Sequence, residues 1–181
     1  AGTVAGVAHP GNDGLAPRKP LLENAPVLKV GQDRTRAALT LGRHGSALNP
    51  VDDPMVLSYV LEGGLHTHDL SRIAPEYLDR PVIEVKTLLG TGKSAVTFAE
   101  VATRQATAFA GEEADTALRL HTKLKSRLVE TCVVGVSETL ALPLILVLAD
   151  MERTGISPDP KTLRGISKDF ERRLRRLETP I

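Results

Sequence analysis

The 181-residue sequence has little of several residue types that mark particular protein classes. It contains a single cysteine, Cys132, so no disulfide can form within the chain, which fits a reducing compartment. The apolar neighbours of Cys132 predict a buried, unreactive thiol. Tryptophan is absent and aromatic residues make up 3% of the chain. This argues against the aromatic stacking platforms that bind single-stranded nucleic acid.

Strong charge imbalance and long apolar runs are also absent. The formal net charge of +1 gives no global attraction to DNA or to an anionic membrane. The apolar run at residues 140–149 is too short to span a membrane and contains Pro143. The N-terminus has no basic start followed by an apolar stretch, so we predict no signal peptide. We therefore expect a cytoplasmic protein without a membrane partner, with one domain or one domain and part of another.

The clearest pattern in the chain covers residues 98–127 and predicts two helices. Alanines at 102, 106 and 110 mark one face of the first helix, and leucines from 118 to 128 give the second an apolar stripe near the helical period. Their junction reads FAGEEADTALRLH, residues 109–121. Two other distinctive segments are KPLLENAPVLKVGQ, residues 19–32, and ALPLILVLADMERTGI, residues 141–156.

Taken in chain order, residues 19–32, 109–121 and 141–156 resemble segments of the 3′–5′ exonuclease domain of bacterial family A DNA polymerases. The resemblance extends over residues 19–178. The resemblance implies an RNase H-like α/β fold. It also implies a truncated exonuclease-like domain at residues 1–130, followed by a connecting helix and the start of the polymerase thumb at residues 131–181. A chain that starts here is expected to lack the opening strands of the sheet. We therefore predict a helix-rich α/β structure with two or three strands, one of them at residues 27–30, and thumb-type helices after it.

The resemblance further implies a nuclease that uses two divalent ions, Mg²⁺ or Mn²⁺, held by four carboxylates. Two of these belong to an Asp-x-Glu motif, which the first thirty residues do not contain. Ala37 stands at the position of the third and Glu113 at that of the fourth. Phe109 replaces a tyrosine whose hydroxyl helps to orient the attacking water. Since a divalent cation needs oxygen donors, Ala37 cannot bind one, and Glu113 remains the one candidate metal ligand at these positions.

Two hypotheses about activity follow from these positions. The first is a catalytically inactive exonuclease-like domain fragment of a DNA polymerase I, associated with DNA replication and repair, with a structural or DNA-binding role. The alternative is an active, metal-dependent 3′–5′ exonuclease in which Glu113 works with a rearranged carboxylate set. Asp33, Glu112 and Asp115 are the other carboxylates of that set, although acidic residues near a helix N-terminus are also favoured by the helix dipole.

A third hypothesis is a binding module built on the C-terminal residues. Residues 161–178 carry seven Lys or Arg against three Asp or Glu, a local charge of +4, and apolar residues at helical spacing. They predict one amphipathic helix whose basic face either binds DNA phosphates or is solvated. Its candidate DNA-binding residues are Arg164, Lys168, Arg172, Arg175 and Arg176. Loss of the opening strands would also expose a sheet edge, which predicts either marginal stability or association with a protein partner or a second copy of the chain.

Two short patterns suggest sites on weaker grounds. His66 and His68 could share a metal ion only in an extended segment, and no further ligand has suitable spacing, so we predict capping or surface histidines. The run GTGKS at residues 90–94 resembles the end of a phosphate-binding loop. The pattern requires a glycine where Thr87 stands, so the run is better explained as a loop of the same polymerase family.

Overall fold

The structure is a computed structural model that describes residues 15–92 and 95–178. Lys93 and Ser94 of the GTGKS run lie outside these residues. By its internal contacts the chain divides into two units, Ala1–Asp150 and Met151–Ile181. The predicted boundary at residue 130, between the exonuclease-like domain and the connecting helix, stays a prediction.

Among the described residues the α-helices are α1 (Lys19–Leu22), α2 (Arg34–Arg43), α3 (Pro54–Glu62), α4 (Leu70–Leu78), α5 (Val85–Leu89), α6 (Thr103–Glu130), α7 (Val134–Val136), α8 (Leu142–Thr154) and α9 (Pro160–Glu178).

The described sheet consists of two short parallel strands, β1 (Lys29–Val30) and β2 (Val51–Asp52). Lys29 pairs with Val51 and Val30 with Asp52. The predicted strand at residues 27–30 is confirmed in its second half. β2 lies in a segment for which the sequence analysis predicted no strand. The coarse prediction of a helix-rich α/β fold with few strands is confirmed.

Helix α6 is continuous over 28 residues, so the prediction of two helices with a junction near Gly111 was wrong. The junction residues are strong helix formers apart from Gly111 itself, which costs about 1 kcal/mol relative to alanine. A Cβ at Gly111 would meet no atom within 4 Å, so no close packing depends on this glycine. The favourable neighbours outweigh the single glycine, and the helix runs through it.

The core forms where α3, α4 and α6 meet. Leu120, Leu124 and Leu128 recur every four residues on one side of α6, and each is fully buried. From the other helices Leu57, Ile73, Ala74 and Tyr77 complete the cluster. Burial of a side chain of this size contributes about 1.5–3 kcal/mol, so this three-helix contact is the main source of stability that the described residues reveal.

Residues after α6 depart from the sequence predictions in two places. Cys132 is exposed and has a left-handed backbone (φ 61°), so the prediction of a buried thiol was wrong.

Helical structure then continues over Val134–Thr154, and this segment is long and apolar enough by composition to cross a membrane. Pro143 does not interrupt it, because a π-helical turn at Ser137–Ala141 directly precedes α8 and tolerates the lost N–H donor. A single such helix is weak evidence for a membrane protein.

Candidate functional site

A cleft of about 370 Å³ opens between the start of α2, the start of α4, the segment before α5 and the middle of α6. The sequence-predicted residues Asp33, Phe109, Glu112 and Glu113 all line it, so the structure brings the two exonuclease-like segments together. Its other lining residues are Gln32, Arg36, Met55, Asp69, Leu70, Ser71, Val82, Ile83, Glu84, Val85 and Lys86.

Asp33 begins α2 and is bound to its own helix. Its backbone is left-handed (φ 53°), a conformation that Asp and Asn tolerate better than most residues. One carboxylate oxygen accepts the Arg36 N–H at 3.2 Å, and the other pairs with Arg36 Nε at 3.0 Å. Ala37 follows one turn later, half-buried, and its N–H donates to the Asp33 carbonyl. The methyl group of Ala37 offers no oxygen to a cation.

Arg34 lies beside a deeply buried carboxylate. Asp53 is fully buried, and its two oxygens accept the N–H groups of Arg34 at 2.7 Å and Met55 at 2.9 Å. Burial raises the pKa of Asp53 above its usual value in spite of these bonds. The Arg34 guanidinium occupies the space above Gly31, where any side chain would collide with it, and donates to the Gln32 carbonyl at 3.2 Å. Because Gly31 has no side chain, the Arg34 guanidinium can occupy this space.

Phe109 and Glu113 stand one turn apart on α6. Phe109 is half-buried and meets Phe98 edge to face, with ring centroids 6.4 Å apart. Glu113 is exposed at the cleft. Partial withdrawal from water raises the pKa of Glu113, while the charges of Arg34 and Arg36 oppose that rise. The electrostatic surroundings of Glu113 are therefore supplied mainly by arginines of α2.

Glu112 and Asp115 are bound to a cation that sequence reasoning missed. Arg80 donates to Asp115 at 2.9 Å and pairs with Glu112 at 3.4 Å. Glu112 also accepts the Ile83 N–H at 2.7 Å, and Asp115 accepts from Arg119 at 2.9 Å. These contacts fix the segment after α4 to α6. With the Asp33–Arg36 pair, three members of the rearranged carboxylate set, Asp33, Glu112 and Asp115, are already held in ion pairs.

The remaining cleft carboxylates do not converge. Asp69, Glu84 and Glu113 line the same cleft. In the described ranges, the one group of three acidic or histidine ligand atoms within 4.8 Å of one another is Glu62, His66 and Glu76, none of which lines the cleft. Among the described residues, the cleft therefore brings no three such ligand atoms to one point, whereas a divalent ion needs several oxygen donors there.

Helix α9 carries the other predicted residues. It is exposed along almost its whole length, as the amphipathic pattern predicted. Arg172 lies 4.0 Å from Asp169, and Arg175 donates to Glu171 at 2.6 Å. Arg164, Lys168 and Arg176 form no ion pair with any described residue. At about 100° per residue, all five predicted cations lie within about a third of the helix circumference, opposite the apolar stripe.

The cleft brings together the start of α2 and the middle of α6, the two segments that carried the exonuclease-like resemblance, and comparison with known proteins shows the family. Residues 3–129 match the family model described as a 3′–5′ exonuclease. The chain belongs to this family, the 3′–5′ exonuclease domain of family A DNA polymerases.

Relatives and a solved structure support the assignment. The chain is similar to DNA polymerase I of Rhizobium leguminosarum, with 38% identity over 180 residues, 99% of this chain and 18% of that protein. It is also similar to DNA polymerase I of Pseudomonas aeruginosa, with 34% identity over 88% of this chain and 18% of that protein. The chain thus spans less than a fifth of these relatives. Brucella melitensis NrnC shares the fold, with a TM-score of 0.62 and 18% identity over 75% of this chain and 63% of that one.

Proposed function

We propose that this chain is an exonuclease-type domain of a DNA polymerase I that no longer cuts DNA and serves a structural or DNA-binding role in replication and repair. The observation that carries the proposal is the scattered donor set of the cleft. No three acidic or histidine ligand atoms of the cleft come together among the described residues, whereas a two-ion nuclease site needs several carboxylates at one point.

Local electrostatics support the same conclusion. Ala37 removes one negative charge from the start of α2, and Arg34 and Arg36 place two positive charges near Glu113. Both features weaken the attraction of the cleft for a divalent cation. Glu112 and Asp115 are neutralised by Arg80 and Arg119. Of the cleft carboxylates, Asp33 and Glu112 thus have arginine partners that do not depend on a bound metal.

A nuclease assay tests the proposal directly. The pure chain is incubated with 3′-labelled single-stranded and duplex DNA in Mg²⁺ and in Mn²⁺, beside Glu113→Gln and a control variant, Glu130→Gln. Glu130 is exposed at the end of α6 and lines no part of the cleft. We expect no shortening that depends on Glu113. Metal-dependent shortening that persists in Glu130→Gln and disappears in Glu113→Gln would overturn the proposal and establish the active exonuclease instead.

The DNA-binding part of the role rests on α9. Arg164, Lys168 and Arg176 are exposed cations on one side of the helix, without an ion-pair partner in the described part of the chain, and each is available to a phosphate. A cation that binds a phosphate releases counterions from the DNA. The slope of log K against log salt therefore changes by about 0.9 for every phosphate that a variant no longer neutralises.

Binding is measured by fluorescence anisotropy of a labelled duplex at several salt concentrations. Replacement of Arg164, Lys168 and Arg176 by Gln is expected to flatten the salt slope by about 3. The control replaces three exposed cations elsewhere, Arg43, Arg104 and Lys123, by Gln, which gives the same change in net charge. Equal slopes for the two triple variants would mean that α9 makes no particular contact with DNA.

A further inference from the structure

Three ligand atoms from α3, α4 and the segment between them meet away from the cleft. His66 Nε2 lies 3.1 Å from Glu62 Oε2 and 3.9 Å from Glu76 Oε2. All three atoms lie within 4.8 Å of one another. The imidazole and Glu62 are largely buried, with side-chain exposures of 10% and 16%, whereas Glu76 is 39% exposed. The group therefore has a sheltered inner side and one ligand open to solvent.

The hydrogen bonding of His66 determines which ring nitrogen faces this group. His66 Nδ1 lies 2.7 Å from the Thr67 carbonyl oxygen, which can only accept, so Nδ1 carries a hydrogen and donates it. In a neutral imidazole Nε2 is then an acceptor, and it faces two carboxylate oxygens that are also acceptors. Either a proton or a cation must lie between them. A backbone carbonyl on the far nitrogen is also the usual arrangement that orients metal-binding histidines.

We infer that Glu62, His66 and Glu76 form a binding site for a divalent transition-metal ion of the zinc type, distinct from the exonuclease-like cleft. Bonds of about 2.0–2.1 Å to nitrogen and oxygen in a tetrahedral arrangement separate the ligand atoms by about 3.4 Å. The two separations from His66 Nε2, 3.1 and 3.9 Å, lie on either side of this value. The two carboxylate oxygens lie within 4.8 Å of each other, and rotation of the exposed Glu76 side chain brings them closer around an ion. Three protein ligands leave a fourth position to water. An imidazole in the set favours Zn²⁺ over Mg²⁺, which prefers oxygen donors and retained waters.

The neighbouring arginines are compatible with this site. Arg127 pairs at 3.4 Å with Glu62 Oε1, the oxygen that does not face His66, so this pair can remain when Oε2 binds an ion. Arg72 lies 3.5 Å from Glu76 Oε2 and therefore competes for one ligand atom. The Arg72 side chain is 54% exposed, so it can turn into solvent at small cost. His68 is not part of the group: its Nδ1 lies 2.8 Å from the Ser58 hydroxyl, and its ring packs against that of His66 with centroids 4.8 Å apart.

The test titrates the purified chain, stripped with a chelator, with Zn²⁺ and separately with Mg²⁺, in isothermal calorimetry and in competition with a chromogenic chelator. We expect one Zn²⁺ per chain and at least about tenfold weaker binding in both His66→Ala and Glu76→Gln. The control variant is His44→Gln, because His44 is an exposed histidine that is not part of the group, and it should bind as the unchanged chain does.

Two variants keep the result interpretable if one of them is damaged. Glu76→Gln changes the most exposed ligand and retains its shape, so its fold, checked by circular dichroism without metal, should be unaltered. Absence of stoichiometric Zn²⁺ binding would overturn the inference and leave a proton on Nε2 as the cation that joins these groups. Binding that survives in both variants, or that Mg²⁺ reproduces with equal affinity, would overturn it too. None of these outcomes depends on whether the chain cuts DNA.

Discussion

Asp52 joins the small sheet to the long helix, and its replacement by asparagine should destabilise the protein in a pH-dependent way. Asp52 ends β2 and is only 2% exposed. Its Oδ2 accepts from His121 Nε2 at 2.9 Å and pairs with Lys125 Nζ at 3.0 Å, both on α6. Its Oδ1 accepts the Asp53 N–H at 3.0 Å. Asp52→Asn keeps the shape and the bond to Asp53 but removes the charge that holds the two α6 groups.

The magnitude follows from these hydrogen bonds. A hydrogen bond to a charged group contributes about 1.5–3 kcal/mol net when it is buried. Asn can still accept weakly, and Lys125 retains Glu138 at 3.2 Å as a second partner, which reduces the cost. We expect a cost of about 2 kcal/mol in the free energy of unfolding at pH 7. For a chain of this length that corresponds to a fall in Tm of about 4–8 °C.

The pH dependence gives the sharper test. Burial alone would raise the pKa of Asp52, but hydrogen bonds from His121 and Lys125 outweigh it and keep the pKa below its usual value. A lowered folded-state pKa contributes stability that is fully present above about pH 4, the unfolded value, and disappears as the pH falls through the folded value. The destabilisation by Asp52→Asn should therefore be present where Asp52 is charged and shrink as the pH falls below about 4.

Urea unfolding followed by circular dichroism between pH 3 and pH 8 measures this difference. The matched control is Asp79→Asn, because Asp79 is exposed and Asn tolerates its left-handed backbone (φ 51°). The control should lose less than about 0.5 kcal/mol at every pH. A difference for Asp52→Asn that stays the same down to pH 3, or that is no larger than for the control, would refute the assignment of a charged link between β2 and α6.

Two further predictions concern packing and surface charge. Leu124→Ala removes a fully buried side chain where α3, α4 and α6 meet, and should cost about 2–5 kcal/mol in urea unfolding, whereas Leu118→Ala, 37% exposed on the same helix, should cost far less. Arg80→Gln breaks the pairs with Glu112 and Asp115, but Arg80 and Asp115 are about two-fifths exposed, so the same measurement should show a cost of less than about 1 kcal/mol. A cost as large as that of Leu124→Ala would contradict the view that the Arg80 pairs are surface ion pairs.

Much of the helical structure could be predicted because each helix carries its own signal. Asp53 caps α3 and Pro54 opens it, and the apolar stripe of α9 repeats at helical spacing, so both elements follow from local residues. β2 could not be predicted in this way. It has only two residues, and it is a strand because β1 lies beside it, which is information about a segment some twenty residues away.

The cleft was predicted only in part, because some of its contacts join segments that are distant in sequence. The resemblance placed Ala37, Phe109 and Glu113 in one site and Asp33 in the rearranged carboxylate set. Asp33, Phe109 and Glu113 line one cleft, whereas Ala37 is not among its lining residues, and the catalytic roles of these positions stay predictions. The resemblance did not reveal Arg80, which binds α6 residues more than thirty positions away. Nor could spacing reveal the Glu62, His66 and Glu76 group. His66 was considered with His68 because they are close in sequence, whereas its neighbours in space come from two different helices.

The arginines of α2 explain how such a cleft can exist without a metal-binding carboxylate at position 37. Asp53 is fully buried and Glu113 is withdrawn in part from water, and both surroundings raise the pKa of the carboxyl group. Carboxylates so placed need a cation nearby, because their charge is otherwise poorly compensated. The positive charge of Arg34 lies close enough to oppose this rise in the pKa of both Asp53 and Glu113. Since a side chain at position 31 would displace the Arg34 guanidinium, Gly31 and Arg34 act as one unit, and Gly31→Ala should disturb Arg34 before it disturbs the sheet.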